Sequence, residues 1–215
     1  MTEVYIIRHC ESASNKVRSF AGRADVDISE KGKLQLENLG EYFKNICLDK
    51  IYTSPLIRAK KTADSINLLG NAEIIIDERL IEISLGVLDG KPVDDMSAIQ
   101  RDNWNNAPHL FYVEGGETMA DVSLRAESAI KDIVENNEGK KIAICSHGCF
   151  IRNLMRILLK YTPDEIKNVP WCDNTGVNKI TFKSIDDYTI DFINDTTHLS
   201  PEAAATPVSS WTKEK

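Results

Sequence analysis

Val4-Tyr5-Ile6-Ile7-Arg8-His9-Cys10-Glu11-Ser12-Ala13-Ser14-Asn15 decides how the rest of the chain is read. Its opening apolar run is too short for a helix and rich in β-branched residues, so it predicts a strand buried on both faces. Arg8 and His9 then fall at the strand's carboxyl edge, where α/β sheets keep their ligand crevice. A second segment repeats the design. Ile142-Ala143-Ile144-Cys145-Ser146-His147-Gly148 is an apolar strand ending on a histidine, just ahead of a helical stretch through Ile151, Leu154, Met155 and Leu158. The chain has 4 histidines. One alone would read as a core histidine; two at equivalent strand ends, one beside an arginine, point to a site.

Working outward, short apolar runs at 3–8, 51–53, 73–76, 141–146, 177–183 and 188–193 predict strands. Helical spacing links Leu36, Leu39, Phe43 and Ile46 after a start at Ser29–Gly32, and again Val122, Ala126, Ala129, Ile130, Ile133 and Val134. Alternating strands and helices predict a three-layer α/β/α domain over 1–199 with a mostly parallel central sheet of about six strands. Residues 86–117, rich in Gly, Pro, Asp and Asn, read as an insertion over the active end of the sheet, and 200–215 as a loose C-terminal tail.

At 215 residues the chain is long enough to bury a full core. Its net charge of −7 argues against nucleic acid and anionic membranes as partners, since their binders are basic. No apolar run is long enough for a transmembrane helix, and no export signal precedes Val4. The 5 cysteines lack the spacing of a secreted disulfide framework, so reduced thiols in the cytoplasm are expected. Cys145-Ser146-His147-Gly148-Cys149 resembles a metal clip only superficially, because no second ligand pair occurs elsewhere.

Two further segments carry chemistry. Tyr52-Thr53-Ser54-Pro55-Leu56-Ile57-Arg58-Ala59 ends a strand and starts a helix, with Arg58 in the first turn. Arg79-Leu80-Ile81-Glu82-Ile83-Ser84-Leu85-Gly86-Val87-Leu88-Asp89-Gly90 is a loop holding one candidate acid, Glu82. Arg8, Arg58, His9 and His147 gathered at one sheet edge describe a phosphate cage, because guanidinium forks match phosphate oxygens in pairs. These segments together resemble the histidine phosphatase superfamily, the phosphoglycerate mutase-like proteins. Its Arg-His, Ser-Pro-Leu-x-Arg-Ala, Leu-x-Glu-x-x-x-Gly and Ser-His-Gly motifs all occur here in order. Smaller matches are Gly22-Arg23-Ala24-Asp25, Ser29-Glu30-Lys31-Gly32 and Gly115-Gly116-Glu117-Thr118.

The resemblance implies His9 as the nucleophile that becomes phosphohistidine and Glu82 as the acid that protonates the leaving oxygen and later activates water. Arg8, Arg58 and His147 would hold the phosphoryl oxygens, helped by Asn15 and the Gly148 amide, with Gly22 and Arg23 as further binding positions. It implies a phosphatase acting on a small phosphorylated metabolite, with no metal and no other cofactor. Position 10 departs from the pattern: it is Cys where the family has Gly, which leaves the local geometry open and suggests oxidant sensitivity, set against a plain core cysteine. Lys16, Arg18 and Arg23 read either as a second anion site or as solvated charge. Trp104, Phe111 and Tyr112 read either as pocket wall or as packing, His109 as a loop histidine and His198 as structural. Two alternatives stand beside the phosphatase. A cofactor-dependent phosphoglycerate mutase is suggested by Asn15-Lys16, Phe20 and Asp25-Val26-Asp27, but the mutase pattern after Glu82 is missing. A non-catalytic phosphate-binding module would need neither His9 nor Glu82. Sugar phosphates, phosphoglycerates, a nucleotide and a riboside phosphate all suit the cage, with specificity assigned to 86–117.

Overall fold

The computed structural model describes residues 1–17 and 19–204. Strands β1 (Thr2–Arg8), β2 (Lys50–Thr53), β3 (Glu73–Ile76), β4 (Lys141–Ser146), β5 (Val177–Phe182) and β6 (Tyr188–Asp195) alternate with six helices. These are α1 (Ala13–Lys16), α2 (Glu30–Phe43), α3 (Ile57–Ile66), α4 (Ala98–Asn106), α5 (Met119–Glu135) and α6 (Gly148–Leu158). The strands form one sheet in the order β3-β2-β4-β1-β5-β6. Only β5 runs against the others, antiparallel to both β1 and β6. The three-layer, mostly parallel sheet expected from the sequence is therefore what forms.

The period-two geometry of β1 explains the layers. Val4 and Ile6 point into one core with Ile142, Ile144 and the apolar faces of α5 and α6. Tyr5 and Ile7 point into the other with Leu39 and Phe43 of α2 and Ala63 and Ile66 of α3. All four β1 side chains are buried, so every residue of that run contributes to a core and none tolerates a polar replacement cheaply. Cys145 and Cys149 belong to opposite cores, so the two thiols cannot close on one metal ion.

Helix α2 starts where Ser29 accepts a hydrogen bond from the Gly32 N–H at 3.0 Å. Helix α5 starts at a reciprocal capping box between Thr118 and Asp121. The expected insertion at 86–117 carries its own helix, α4, which the sequence reading did not anticipate. Of the stretch expected to be a loose tail, 205–215 lies outside the described residues. Residues 200–204 are tied down: Ala203 is fully buried and its carbonyl accepts from Gln35 Nε2 at 3.0 Å. No helix among the described residues is long and apolar enough to cross a membrane.

Candidate active site

Sheet register assembles the site. Pairing of Arg8 with Ser146 and of Thr53 with Cys145 carries His9, His147 and Ser54 to the same carboxyl edge. The two imidazole rings lie with centroids 5.0 Å apart. His9 Nδ1 is 2.6 Å from the Cys10 carbonyl oxygen. A carbonyl only accepts, so Nδ1 carries the proton and Nε2 keeps its lone pair. Burial, reinforced by the Arg58 and Arg8 guanidiniums, holds the His9 pKa well below its ordinary value. The ring is thus neutral at pH 7, as a nucleophile must be.

His147 is fully buried, with Nε2 2.7 Å from Ser54 Oγ and Nδ1 lacking a protein partner. Burial, then the charge of Arg58, keeps this ring neutral too. Arg8 donates from Nη1 to the Cys172 carbonyl at 2.8 Å. Arg58 donates to the carbonyls of Ala24 and Gly22 at 2.9 and 2.8 Å. Each guanidinium leaves its Nε buried and unbonded to protein. Buried donors are rarely left without acceptors, so two arginines so arranged describe an anion site. Burial lowers both arginines from their ordinary values, and they stay protonated because that starting point is so high.

Gly22 serves this arrangement through its backbone. Its φ is +48°, and a Cβ there would lie 1.6 Å from Asp89 Oδ1, so any other residue would strain the turn that brings this carbonyl to Arg58. Glu82 meets the start of α6. Its Oε2 accepts from the Cys149 N–H at 3.2 Å, while Oε1 accepts from Phe150 at 3.2 Å and from Ile83 at 2.9 Å. The carboxyl group thereby satisfies helix N–H groups that have no partner inside the helix. Gly148, the first residue of α6, lines the same cleft, and a Cβ there would crowd Arg8 Nε at 3.3 Å. Asn15 also lines it, its Oδ1 accepting from the Ser12 N–H at 3.1 Å.

The structure thus brings Arg8, His9, Asn15, Gly22, Arg58, Glu82 and Gly148 around one cleft, with His147 against His9. Arg23 is directed elsewhere. Its Nη2 pairs with Glu117 Oε1 at 2.9 Å and its Nε donates to the Glu82 carbonyl at 3.3 Å. Lys16 is exposed, and Arg18 lies outside the described residues. Apolar side chains also wall the cleft: Phe20, Ile83, Leu85, Trp104 and Trp171. Trp104 both packs and lines, stacking on Trp171 at 5.5 Å and meeting Phe111 edge-on at 4.8 Å. His198 is structural, its Nε2 3.2 Å from Thr175 Oγ1.

Several contributors escaped the sequence reading. Asn174 donates to the His9 carbonyl at 2.9 Å, Cys172 supplies the acceptor for Arg8, and Trp171 forms a wall. The one signal for them was position: Trp171-Cys172-Asp173-Asn174-Thr175-Gly176 is a polar, turn-forming run directly before β5, and antiparallel entry brings it to the edge where β1 ends.

Comparison with known proteins bears on the family and the fold. The sequence profile of the histidine phosphatase superfamily (branch 1) matches residues 4–196. Phosphoserine phosphatase 1 of Hydrogenobacter thermophilus is 31% identical over 183 residues, covering 84% of this chain and 86% of that protein. A probable phosphoglycerate mutase, GpmB, of Salmonella choleraesuis is 29% identical over 74% of this chain and 75% of its own length. The solved structure of Bacillus stearothermophilus YhfR superposes with a TM-score of 0.87 at 32% identity, over 92% of this chain and 99% of that one.

Proposed function

Because the chain belongs to the histidine phosphatase superfamily, we propose that it hydrolyses a small-molecule phosphomonoester through a phosphohistidine on His9. The observation that carries this reading is the His9 ring: neutral, locked by Nδ1 on the Cys10 carbonyl, and flanked by two arginines with unbonded Nε donors. In the first step His9 Nε2 attacks phosphorus. The bond from phosphorus to the ester oxygen breaks, and protonated Glu82 gives its proton to the departing alcohol. In the second step Glu82 takes a proton from water, whose oxygen attacks phosphorus, and the P–N electron pair returns to His9 as inorganic phosphate leaves. Arg8 and Arg58 neutralise the phosphoryl oxygens throughout, with the neutral His147 ring in hydrogen-bond reach of them, and the two guanidiniums supply the countercharge that a metal ion gives in other phosphoryl-transfer sites.

The apolar walls suit an ester whose alcohol carries an apolar or aromatic portion, and the compact cleft suits a metabolite better than a polymer. Phosphoserine, the substrate in the name of one relative, belongs among the first compounds to test. Five unpaired cysteines favour a reducing compartment, which makes the cytoplasm the proposed location.

The test is phosphate release from p-nitrophenyl phosphate between about pH 5 and 8, with a chelator present. Wild type should turn over and His9→Ala should not. Activity that needs added metal would remove the metal-free reading. Turnover seen only as isomerisation of 3-phosphoglycerate with a bisphosphate primer would favour the mutase instead.

A further inference from the structure

The Gly115-Gly116-Glu117-Thr118 segment, which the phosphate site does not use, is bonded to the loop that carries Glu82. Arg125, in the middle of α5, donates from Nη1 to the carbonyls of Arg79 and Ile81, just before Glu82. The same guanidinium grips the Glu117 carboxylate from Nε and Nη2, both at 3.1 Å. Glu117 Oε2 accepts from the Ser84 N–H at 3.0 Å, just after Glu82, and the Glu117 N–H donates to the Ser84 carbonyl at 2.8 Å. Arg23 closes the ring, pairing with Glu117 and donating to the carbonyl of Glu82 itself. Backbone groups of residues 81, 82 and 84 are therefore each fixed by one charged triad. Gly86 lets the two loops meet: its φ is +52°, and a Cβ there would lie 2.0 Å from the Glu114 carbonyl.

We infer that Arg125, Glu117 and Arg23 are positioning residues for Glu82, holding its backbone so that the carboxyl reaches the leaving oxygen. Their arrangement explains why two arginines lie close to the site without lining the phosphate cleft. Glu117 is the keystone, since it bonds both arginines and Ser84 at once. The Arg125 cation keeps Glu117 ionised: even with burial opposing it, the hydrogen bonds from Arg125 and Ser84 hold this carboxyl below its ordinary pKa. An ionised Glu117 accepts from all three partners, whereas a neutral amide would face one of them with a donor. Acid catalysis depends on sub-ångström placement, so loosening this clamp should act on proton donation more than on phosphate binding.

The inference rests on the phosphohistidine reading, and leaving-group dependence separates the two. Departure of p-nitrophenolate needs little proton donation, while departure of an alkoxide needs it fully. The experiment compares kcat/KM of wild type and Glu117→Gln on p-nitrophenyl phosphate and on glycerol phosphate, with thermal melting of each protein. The expected result is a loss on glycerol phosphate roughly tenfold greater than on the aryl ester, a part of the 10²–10⁴-fold worth of a general acid. Arg23→Gln, at a half-exposed side chain that folding tolerates, should show the same selective loss in smaller measure. Equal losses on both esters in both variants would reduce the triad to a merely structural role and overturn the inference. A wild type inactive on both esters, or a fully active His9→Ala, would overturn the underlying reading instead.

Discussion

Cys10 stands where relatives of this chain are expected to carry glycine, and its surroundings show what the position does. Its backbone is not among the positive-φ residues, so no special dihedral is demanded. Its carbonyl fixes the His9 tautomer, and its N–H donates to Thr62 Oγ1 at 3.1 Å. Both services come from the main chain, which a small side chain leaves intact. The thiol is fully buried, and that burial pushes its pKa up to about 12, so it is neither exposed nor a thiolate at neutral pH. This geometry does not support the oxidant sensitivity suggested by its neighbour His9. Of the 5 free cysteines only Cys47 is exposed. Treating the native protein with iodoacetamide at neutral pH should add a single adduct, at Cys47, without loss of activity. Inactivation accompanied by an adduct at Cys10 would contradict this account.

Helix α4 shows how an element can shape a site and remain invisible to periodicity. Its only buried residue is Trp104, while Ile99 faces solvent, so no apolar stripe betrays a helix in a stretch dominated by Asp, Asn and Gln. The strands were legible for the opposite reason: β1 and β4 are buried on both faces and read as unbroken apolar runs. The residues of the site were legible too, because Arg8, His9 and His147 at strand ends and Glu82 in its loop lie in recognisable local patterns. Arg125 was not, since it sits between the apolar positions Val122 and Ala126 of α5 and reads as surface charge until the acid loop is placed beneath it. As the part of α4 that reaches the cleft, Trp104 should govern aromatic alcohols. Trp104→Leu, which keeps much of the apolar volume, should raise KM for p-nitrophenyl phosphate roughly threefold or more relative to glycerol phosphate, matching the ~0.5–1.5 kcal/mol of an aromatic contact. An equal change for both esters would mean that Trp104 only packs the insertion onto the body.

Across the whole fold, the sheet edge concentrates two neutral histidines and two buried arginines in a protein of net charge −7. Holding these rings neutral has a stability consequence whose sign is fixed. His9 and His147 have depressed pKa values in the folded state and ordinary ones, about 6.5, when unfolded. Below that pH the unfolded chain binds more protons, so stability falls as pH drops, by up to about 1.4 kcal/mol per unit for each ring. Denaturant unfolding at two pH values on either side of that point should therefore show a steeper loss for wild type than for the His9→Gln/His147→Gln double variant. Matching slopes would mean that the rings protonate freely in the fold. The central claim, that phosphoryl transfer passes through His9, is tested most directly by quenching wild type during turnover and locating the phosphoryl group by tandem mass spectrometry. The account predicts a phosphoryl adduct on His9 that forms within the first turnover and disappears as substrate is exhausted. Steady turnover with the phosphoryl group on another residue, or undiminished in His9→Ala, would contradict it.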